Sequence, residues 1–284
     1  MNEARDGFAT AVLPDGRILV IGGGQVDEMR RVVTPSATIE VFDPIYGDFR
    51  LLDYQLTTPR AYHSATTLPD GSVLVFGGVT GENGGSVAVT AELILPNSDF
   101  PVLTLNLATA DLTRYHHDAL RLHSDGSVLI VGGYDSAHNL TASVIRYFPD
   151  TREFVAQGAL SSPRAFGGLG TLKLPGYPAV YASGLTTNAL SNTVELFSTL
   201  PGQGATGGPA CNGGIAPDPR VGCFVVYEDL DIARSHFEML TTYGGKELLF
   251  LGGYTDAVGI ETTNSVERFR QEPTGALLVE RLAE

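Results

Sequence analysis

The chain has 284 residues with 43% hydrophobic side chains, 34 glycines and 16 prolines, which is enough apolar material for a large core and enough turn formers for many short strands. Its formal net charge of −14 disfavours nucleic acid and anionic membranes as partners, because both require a basic surface. No apolar run approaches about 20 residues, so we expect no membrane insertion, and the polar start of the chain lacks the apolar region of a signal peptide.

One sequence motif occurs five times along the chain. Its clearest copy runs from Arg60 to Gly78 and reads as a strand, an Asp-Gly turn, a fully apolar strand and a diglycine. The other copies begin at Arg5, Arg114, Arg164 and Arg234. The residues that follow the second strand are 55, 55, 51 and 69 residues apart, namely Gly22, Gly77, Gly132, Ser183 and Gly252. A period near 50 residues fits the four-stranded blade of a propeller.

Each repeat reads as four strands, which we call a, b, c and d in chain order. Strand a begins near Phe8, Tyr62, His116, Phe166 and His236. An Asp-Gly turn joins it to strand b in the first three repeats, because Gly accepts the positive φ of a tight hairpin. Strand b is an unbroken apolar run, which predicts that both of its faces are covered. Strand c carries Glu40, Glu92, Glu195 and Glu267, with Ile145 as the exception, and strand d begins near Phe49, Phe100, Phe154, Phe224 and Leu277.

The diglycine after strand b, the run Glu40-Val41-Phe42-Asp43-Pro44 in strand c and the aromatic residue that opens strand d resemble the kelch repeat. The resemblance covers nearly the whole chain in five copies. Kelch repeats usually have Trp at the start of strand d, whereas this chain contains no Trp. The resemblance implies an all-β fold, a single kelch β-propeller over residues 1–284 with five four-stranded antiparallel blades. We place the blades at about residues 5–58, 59–112, 113–162, 163–232 and 233–284.

Two classes of loop emerge on one side of such a fold, those from strand d to the next strand a and those from strand b to strand c. The b-to-c loops are long and unlike one another, and irregular loops on a rigid scaffold are where recognition usually resides. We therefore predict a non-catalytic propeller that binds a protein, peptide or glycan through this loop face. We expect no cofactor, and we expect the protein to be a monomer.

The candidate ligand residues lie where strand a enters from the d-to-a loop. Histidine and tyrosine there break the symmetry of the five repeats, which favours a polar pocket near the second and third repeats. The candidates are Arg60, Tyr62, His63, Arg114, Tyr115, His116, His117 and His236. The recurring arginine favours a structural role for that set, paired with the strand-c glutamates between blades. Histidines that only hydrogen-bond the loops, or that bind a metal, are the alternatives, and we assign no catalytic residue and no metal ligand.

Two enzyme classes share parts of this pattern. Arg60-Ala61-Tyr62-His63-Ser64 and the Leu-Pro-Asp-Gly that follows are similar to a segment of the copper radical oxidases related to galactose oxidase, which implies Tyr62 and His63 as copper ligands. That chemistry also needs a cysteine cross-linked to a second tyrosine and a histidine from a separate domain, so we do not expect it here. The alternative function is a sugar epimerase or lyase that uses channel His, Tyr and Arg, as in kelch-type sialic acid mutarotases. A second alternative is an excised or engineered propeller without native activity.

Cys211 and Cys223 are the only cysteines, and they flank a segment rich in Gly and Pro. We predict a disulfide between them that closes a loop between strands c and d of the fourth repeat, on the side opposite the candidate site. Two free thiols are the alternative. A disulfide favours an oxidising compartment, and therefore an extracytoplasmic or secreted protein.

Overall fold

The computed structural model describes residues 1–27, 32–81, 85–95, 101–107, 112–172, 179–199, 220–242, 244–271 and 277–283. These residues form 24 strands, numbered β1 to β24 in chain order. Within the described ranges, no helix is long enough and apolar enough to cross a membrane.

Five four-stranded antiparallel sheets, I to V, hold most of the strands, and each sheet corresponds to one repeat. Sheet I consists of β1 (Ala9–Val12), β2 (Ile18–Ile21), β5 (Ile39–Asp43) and β6 (Asp48–Leu51). Sheet II consists of β7 (Ser64–Thr67), β8 (Val73–Phe76), β11 (Thr90–Ile94) and β12 (Val102–Asn106). Sheet III consists of β13 (Asp118–Arg121), β14 (Val128–Val131), β15 (Val144–Phe148) and β16 (Glu153–Ala156).

Sheet IV consists of β17 (Gly168–Gly170), β18 (Ala179–Leu185), β19 (Leu190–Ser198) and β20 (Cys223–Asp229). Sheet V consists of β21 (Glu238–Thr241), β22 (Glu247–Leu251), β23 (Val266–Gln271) and β24 (Leu277–Ala283). Two small hairpins, β3 (Gly24–Val26) with β4 (Val32–Pro35) and β9 (Val79–Thr80) with β10 (Ser86–Val87), lie in the first two b-to-c loops. The predicted five four-stranded sheets in the order a, b, c, d are confirmed.

The strands fall into two compact units. The N-terminal unit comprises Met1–Arg121 and Tyr134–Asn139, and the C-terminal unit comprises Leu122–Gly133 and Leu140–Glu284. Sheets I and II therefore lie in the N-terminal unit, and sheets IV and V lie in the C-terminal unit. The single domain expected over residues 1–284 stays a prediction.

Facing b strands form the core of each unit. In the N-terminal unit, Leu19 and Ile21 of β2 pack with Val73 and Val75 of β8, and all four side chains are buried. The C-terminal unit repeats this arrangement between β18 and β22. Burying one such branched side chain contributes about 1.5–3 kcal/mol, which explains why the core-facing positions of strand b are apolar.

The tight turn between strands a and b has the predicted chemistry. Gly71 takes a φ of +84°, and Asp70 Oδ1 accepts hydrogen bonds from the N–H of Ser72 at 3.0 Å and its hydroxyl at 2.6 Å. Asp125 binds Ser127 in the same way in the third repeat. The aspartate therefore closes the hairpin, and it fixes the register in which Thr67 pairs with Val73.

Aromatic pairs join strand c to strand d where kelch repeats usually have Trp. Their ring centroids are 4.8 to 5.2 Å apart in the pairs Phe42–Phe49, Tyr147–Phe154 and Phe197–Phe224. Rings at this distance add about 0.5–1.5 kcal/mol per pair beyond their buried area. Phe100, the expected partner in the second repeat, lies outside the described residues.

Only one cysteine of the predicted disulfide lies within the described residues. Cys223 opens β20, is buried and is not a free thiol. Cys211 lies outside the described residues. The Cys211–Cys223 bond and the loop it is expected to close stay predictions.

Candidate ligand-binding site

The arginine that opens each repeat is a buried structural residue. Arg60 has no exposed surface, and its Nη2 atom donates a hydrogen bond to Glu92 Oε1 at 2.7 Å. Its Nη1 atom donates to the carbonyl oxygens of Gly77 and Thr90, both at 2.9 Å. Equivalent ion pairs join Arg5 to Glu40, Arg164 to Glu195 and Arg234 to Glu267.

These ion pairs correct one expectation from the sequence. Each arginine binds the glutamate of its own repeat, whereas pairing between blades was expected. Burial lowers the pKa of Arg60, and Glu92 opposes that shift. Because its donors are committed to Glu92 and to carbonyl oxygens, Arg60 holds the d-to-a loop and presents no charge to a ligand. Arg114 is equally buried, and Ile145 stands at the glutamate position of its repeat.

His63 and His117 occupy equivalent positions, three residues after the arginine, and both are buried. A Cβ atom on Gly22 would lie 2.8 Å from His63 Cε1, and one on Gly77 would lie 2.7 Å from His117 Cε1. His117 Nε2 shares a hydrogen bond of 2.8 Å with Ser64 Oγ, while neither ring nitrogen of His63 has a partner with hydrogen-bond geometry. Both imidazoles therefore pack against a diglycine, and a ligand at the surface does not reach them.

Burial also keeps both imidazoles neutral. It lowers the pKa of His63 to about 3, with a smaller effect of the Arg60 charge in the same direction and of the Ile21 backbone in the opposite one. Burial likewise lowers the pKa of His117 well below its ordinary value, followed by the charges of Arg114, His63 and His116. Neutral, enclosed imidazoles are poor candidates for charge recognition, but they make the fold sensitive to acid.

The residue one position before His63, and its equivalent in every other repeat, has left-handed backbone geometry. The five φ values are +63° at Gly7, +57° at Tyr62, +51° at His116, +55° at Phe166 and +50° at His236. Glycine adopts this region freely, whereas a bulky side chain there costs of order 1–3 kcal/mol. Four of the five repeats nevertheless place an aromatic ring or an imidazole at this strained position.

The strained residues stack in sequence within each unit. In the N-terminal unit, the N–H of Tyr62 donates to Gly7 O at 2.7 Å and the N–H of His116 donates to Tyr62 O at 3.1 Å. The rings of Tyr62 and His116 are 4.2 Å apart. In the C-terminal unit, His236 donates to Phe166 O at 3.1 Å and the two rings stack at 4.0 Å. The left-handed turn therefore directs each ring onto the equivalent residue of the preceding repeat.

A cluster of five rings surrounds this stack in the N-terminal unit. We call it the aromatic cluster, and its members are Tyr62, Tyr115, His116, Tyr134 and His138. Tyr115 and Tyr134 stack at 5.2 Å, and their backbones form a bridge with N–H to O distances of 3.1 and 2.9 Å. His116 lies 5.3 Å from Tyr115 and 6.3 Å from Tyr134 between ring centroids. Tyr62, Tyr115, His116 and Tyr134 are half-buried and His138 is exposed, so the cluster is open to solvent.

The polar edges of the aromatic cluster are also ordered. The Tyr115 hydroxyl and His138 Nδ1 are hydrogen-bonded at 2.9 Å. Burial raises the pKa of Tyr115, and Tyr134 and Asp135 raise it further, while burial alone raises the pKa of Tyr134. Both phenols therefore stay protonated at neutral pH. The cluster combines flat apolar faces with hydroxyl and imidazole edges, which is the chemistry of a site for a ring-shaped, hydrogen-bonding ligand.

His236, the candidate from the fifth repeat, lies in the C-terminal unit. It is stacked on Phe166, contacts Tyr254 edge-on at 5.5 Å and shares a hydrogen bond of 3.2 Å with Ser235. Burial of its ring lowers the pKa of His236.

Sequence reasoning missed two members of the aromatic cluster. Tyr134 follows the third diglycine, and His138 lies at the tip of the same b-to-c loop. The available signal was the aromatic residue directly after the diglycine, which recurs as Tyr254 in the fifth repeat.

The two residues that match copper ligands have separate environments. The Tyr62 ring stacks on His116, whereas His63 is enclosed beside Gly22. Within the described ranges, no three His, Cys, Asp or Glu side chains converge in a way that would hold a metal ion. These residues as placed do not fit the copper site that the sequence resemblance implied, and we derive no step through copper.

Comparisons with known proteins bear on the fold. No family model matches the sequence, and a search of curated proteins finds no match. Among solved structures, the chain is similar to one titled "Structure of YjhT", with a TM-score of 0.71 at 14% identity over 97% of this chain and 84% of that one. It is also similar to a fungal alcohol oxidase of the AA5 family in complex with copper, with a TM-score of 0.66 at 16% identity over 99% of this chain.

The match to the oxidase extends over only 54% of that protein, so this chain spans about half of its length. Identities this low carry information about the backbone and none about activity. The five repeated sheets, their a-b-c-d order and the two structural matches lead to one conclusion. The chain has the fold of the kelch-repeat β-propellers.

Proposed function

We propose that this chain is a non-catalytic binding propeller whose aromatic cluster takes a glycan. The observation that carries the proposal is the cluster of five contacting rings that stands on a strained backbone and reaches solvent. Tyr62 and His116 hold left-handed geometry that glycine would adopt at lower cost, and Gly7 does so in the first repeat. Strain retained at a half-exposed aromatic surface is typical of a recognition site.

The chemistry of the aromatic cluster suits a saccharide. Tyrosine faces pack against the apolar face of a sugar ring, and phenol and imidazole edges supply hydrogen bonds to its hydroxyl groups. The ordered contacts among Tyr115, Tyr134 and His138 fix these groups before binding, which reduces the entropy lost on association.

The burial of the other candidates favours binding over the epimerase alternative. Arg60 and Arg114 are fully buried, and the imidazoles of His63 and His117 face a diglycine. The polar groups left at the surface of the cluster are the phenols and the imidazoles of His116 and His138. This set is suited to hold a neutral ring.

A screen of immobilised glycans and peptides with the wild-type protein tests the proposal. We expect retention on glycans and a loss of at least about tenfold in affinity for Tyr62→Gly, since one aromatic contact is removed. Retention on peptides alone would assign the cluster to protein recognition and would refute the glycan.

Phe166→Gly is the matched control. It relieves the same left-handed strain and removes a ring stacked on histidine, but in the C-terminal unit. We expect this variant to bind like wild type. Equal losses in both variants would contradict a site at the aromatic cluster.

A further inference from the structure

One aspartate closes the loop that carries His138. Asp135 Oδ1 accepts hydrogen bonds from the N–H groups of Ala137 at 2.9 Å and of Asn139 at 2.8 Å. The N–H of Asp135 also donates to Asn139 O at 2.9 Å, and its carbonyl oxygen accepts a hydrogen bond from the N–H of His138 at 3.0 Å. Four hydrogen bonds of a single residue therefore close the tip of the b-to-c loop in the third repeat.

This loop holds His138 in a left-handed conformation that is uncommon for any residue except glycine. His138 is exposed and has a φ of +61°. Because an exposed side chain gains little from burial, the hydrogen bonds of Asp135 are the constraint that keeps the backbone in this geometry. The imidazole is thereby held 5.7 Å from the Tyr115 ring, with its Nδ1 atom 2.9 Å from the Tyr115 hydroxyl.

The hydrogen bond between Tyr115 and His138 fixes the tautomer of the imidazole. A phenol is the better donor of the two groups and an imidazole nitrogen is the better acceptor, so the Tyr115 hydroxyl donates to Nδ1. Burial raises the pKa of Tyr115, and Tyr134 and Asp135 raise it further, so the phenol retains the proton that it donates. Since Nδ1 serves as the acceptor, the proton of the neutral ring lies on Nε2.

We propose that Asp135 is a positioning residue of the glycan site. By closing the loop around His138 it sets that ring against Tyr115, and it thereby presents the Nε2–H group as a hydrogen-bond donor to an oxygen atom of the sugar. Within the described residues, Nε2 of His138 makes no hydrogen bond, so it is available to a ligand. The identity of the ligand rests on the proposed function, whereas the arrangement of Asp135, His138 and Tyr115 is present in the chain without ligand.

The fifth repeat contains a loop closed in a similar way. Asp256 Oδ1 accepts hydrogen bonds from the N–H of Ile260 at 2.8 Å and from that of Glu261 at 3.1 Å, and the N–H of Thr255 donates to Glu261 O at 2.9 Å. This repeat has no member in the aromatic cluster, and its loop has no histidine. Asp256→Ala therefore removes the same kind of carboxylate and is the matched control for Asp135→Ala.

Nitrogen NMR of the histidine rings in the protein without ligand tests the positioning directly. At about pH 8, where an ordinary imidazole is neutral, we expect wild-type His138 to have an unprotonated Nδ1 and a protonated Nε2. His138→Gly identifies its signals among those of the six histidines. In Asp135→Ala the share of protonated Nδ1 should rise toward that of a free imidazole. Asp135→Asn, whose amide oxygen accepts the same two hydrogen bonds, and Asp256→Ala should keep the wild-type signals. Wild-type signals of His138 in Asp135→Ala would overturn the proposal.

Retention on the immobilised glycans of the screen measures the consequence for binding. We expect Asp135→Ala to weaken the affinity about fivefold to tenfold, because one oriented donor is lost, and Asp135→Asn to restore it to within about twofold. In a His138→Gly background, Asp135→Ala should have no further effect, because Asp135 acts through that ring. Equal losses in both backgrounds would refute the positioning role. Absence of retention by the wild-type protein would instead refute the glycan proposal, and the NMR measurement would then decide the role of Asp135.

Discussion

Beside the first glycine of each diglycine, the two units place different side chains. In the N-terminal unit, the His63 ring lies against Gly22 and the His117 ring lies against Gly77. In the C-terminal unit, the equivalent position after the arginine is Gly167. There, Tyr181 from β18 extends its hydroxyl toward Gly132, where a Cβ atom would lie 3.4 Å from the Tyr181 oxygen.

This difference shows what the repeat keeps constant. A ring fills the space beside Gly22, Gly77 and Gly132, but it comes from strand a in the N-terminal unit and from strand b in the C-terminal unit. Beside Gly252 the nearest atom is the backbone oxygen of Thr263 at 3.3 Å. The volume of the ring therefore explains the histidine at the positions of His63 and His117, since Tyr181 fills the equivalent space from strand b. We propose that ligand recognition uses the left-handed position one residue earlier, whose rings reach solvent.

Exchanging the side chains that fill the space beside the glycine should have the largest effect on stability. A Cβ atom on Gly167 would lie 2.6 Å from Tyr181 Cζ. We therefore expect Gly167→His to lower the free energy of unfolding by more than about 3 kcal/mol through overpacking. Adding Tyr181→Val, the residue type of Val75 in sheet II, should recover at least half of that loss in urea titrations. A double variant no more stable than the single one would show that the two fillers are not equivalent.

Removing the side chain that fills this space should lower the free energy of unfolding somewhat less than Gly167→His does. His63→Gly leaves an unfilled space beside Gly22, and we expect a loss of about 2–4 kcal/mol in unfolding free energy. Val75→Tyr, which copies the arrangement of sheet IV, is expected to restore part of it. His138→Gly, at an exposed loop tip, is the control and should change stability by less than about 1 kcal/mol.

Acid should distinguish the buried imidazole of His63 from a phenyl ring at the same position. The pKa of His63 is about 3 in the folded chain against an ordinary value of 6.5, so the unfolded chain binds the proton first as pH falls. Stability is then complete above pH 6.5 and decreases toward pH 3 by about 1.4 kcal/mol per pH unit. His63→Phe, which copies Phe8 and Phe237, should remove this component from urea midpoints measured between pH 7 and pH 5. An unchanged pH slope would mean that His63 is solvated.

The smallest effect on stability is expected at Tyr62, which has left-handed backbone geometry. Tyr62→Gly relieves the left-handed geometry but loses the stack on His116, so the two contributions should offset each other to within about 1 kcal/mol. Thermal unfolding beside the binding assay measures both properties on one sample. A loss above about 3 kcal/mol would assign Tyr62 to the fold and weaken its role in binding.

The sheets were predictable because their signals are local. An unbroken apolar run such as Val73–Phe76 leaves no polar face for solvent, and an Asp-Gly pair permits one kind of turn. The candidate site was less accessible because its residues are brought together by backbone geometry. Gly7 aligned with Tyr62 was the one clue to a positive φ at that position, since glycine is the usual residue there.

The sequence predicted the environment of the charged residues only in part. The recurrence of Arg60 and Glu92 predicted an ion pair, but periodicity alone does not say whether a pair closes within a repeat or between two. Burial decides which candidates face a ligand, and burial depends on packing partners far along the chain. His63 and His116 are of one residue type and lie on neighbouring loops, yet one is enclosed and the other reaches solvent.

The ion pair within four of the five repeats also has a consequence for how the chain folds. Arg60 and Glu92 are 32 residues apart, and the other three pairs are separated by 31 to 35 residues. Each pair closes a short loop before strand d is reached, and short loops form with little entropic penalty. Collapse can therefore begin in any of these four repeats and spread to its neighbours, as in other repeat proteins. During synthesis, each of these repeats can form its ion pair as soon as its first three strands have left the ribosome.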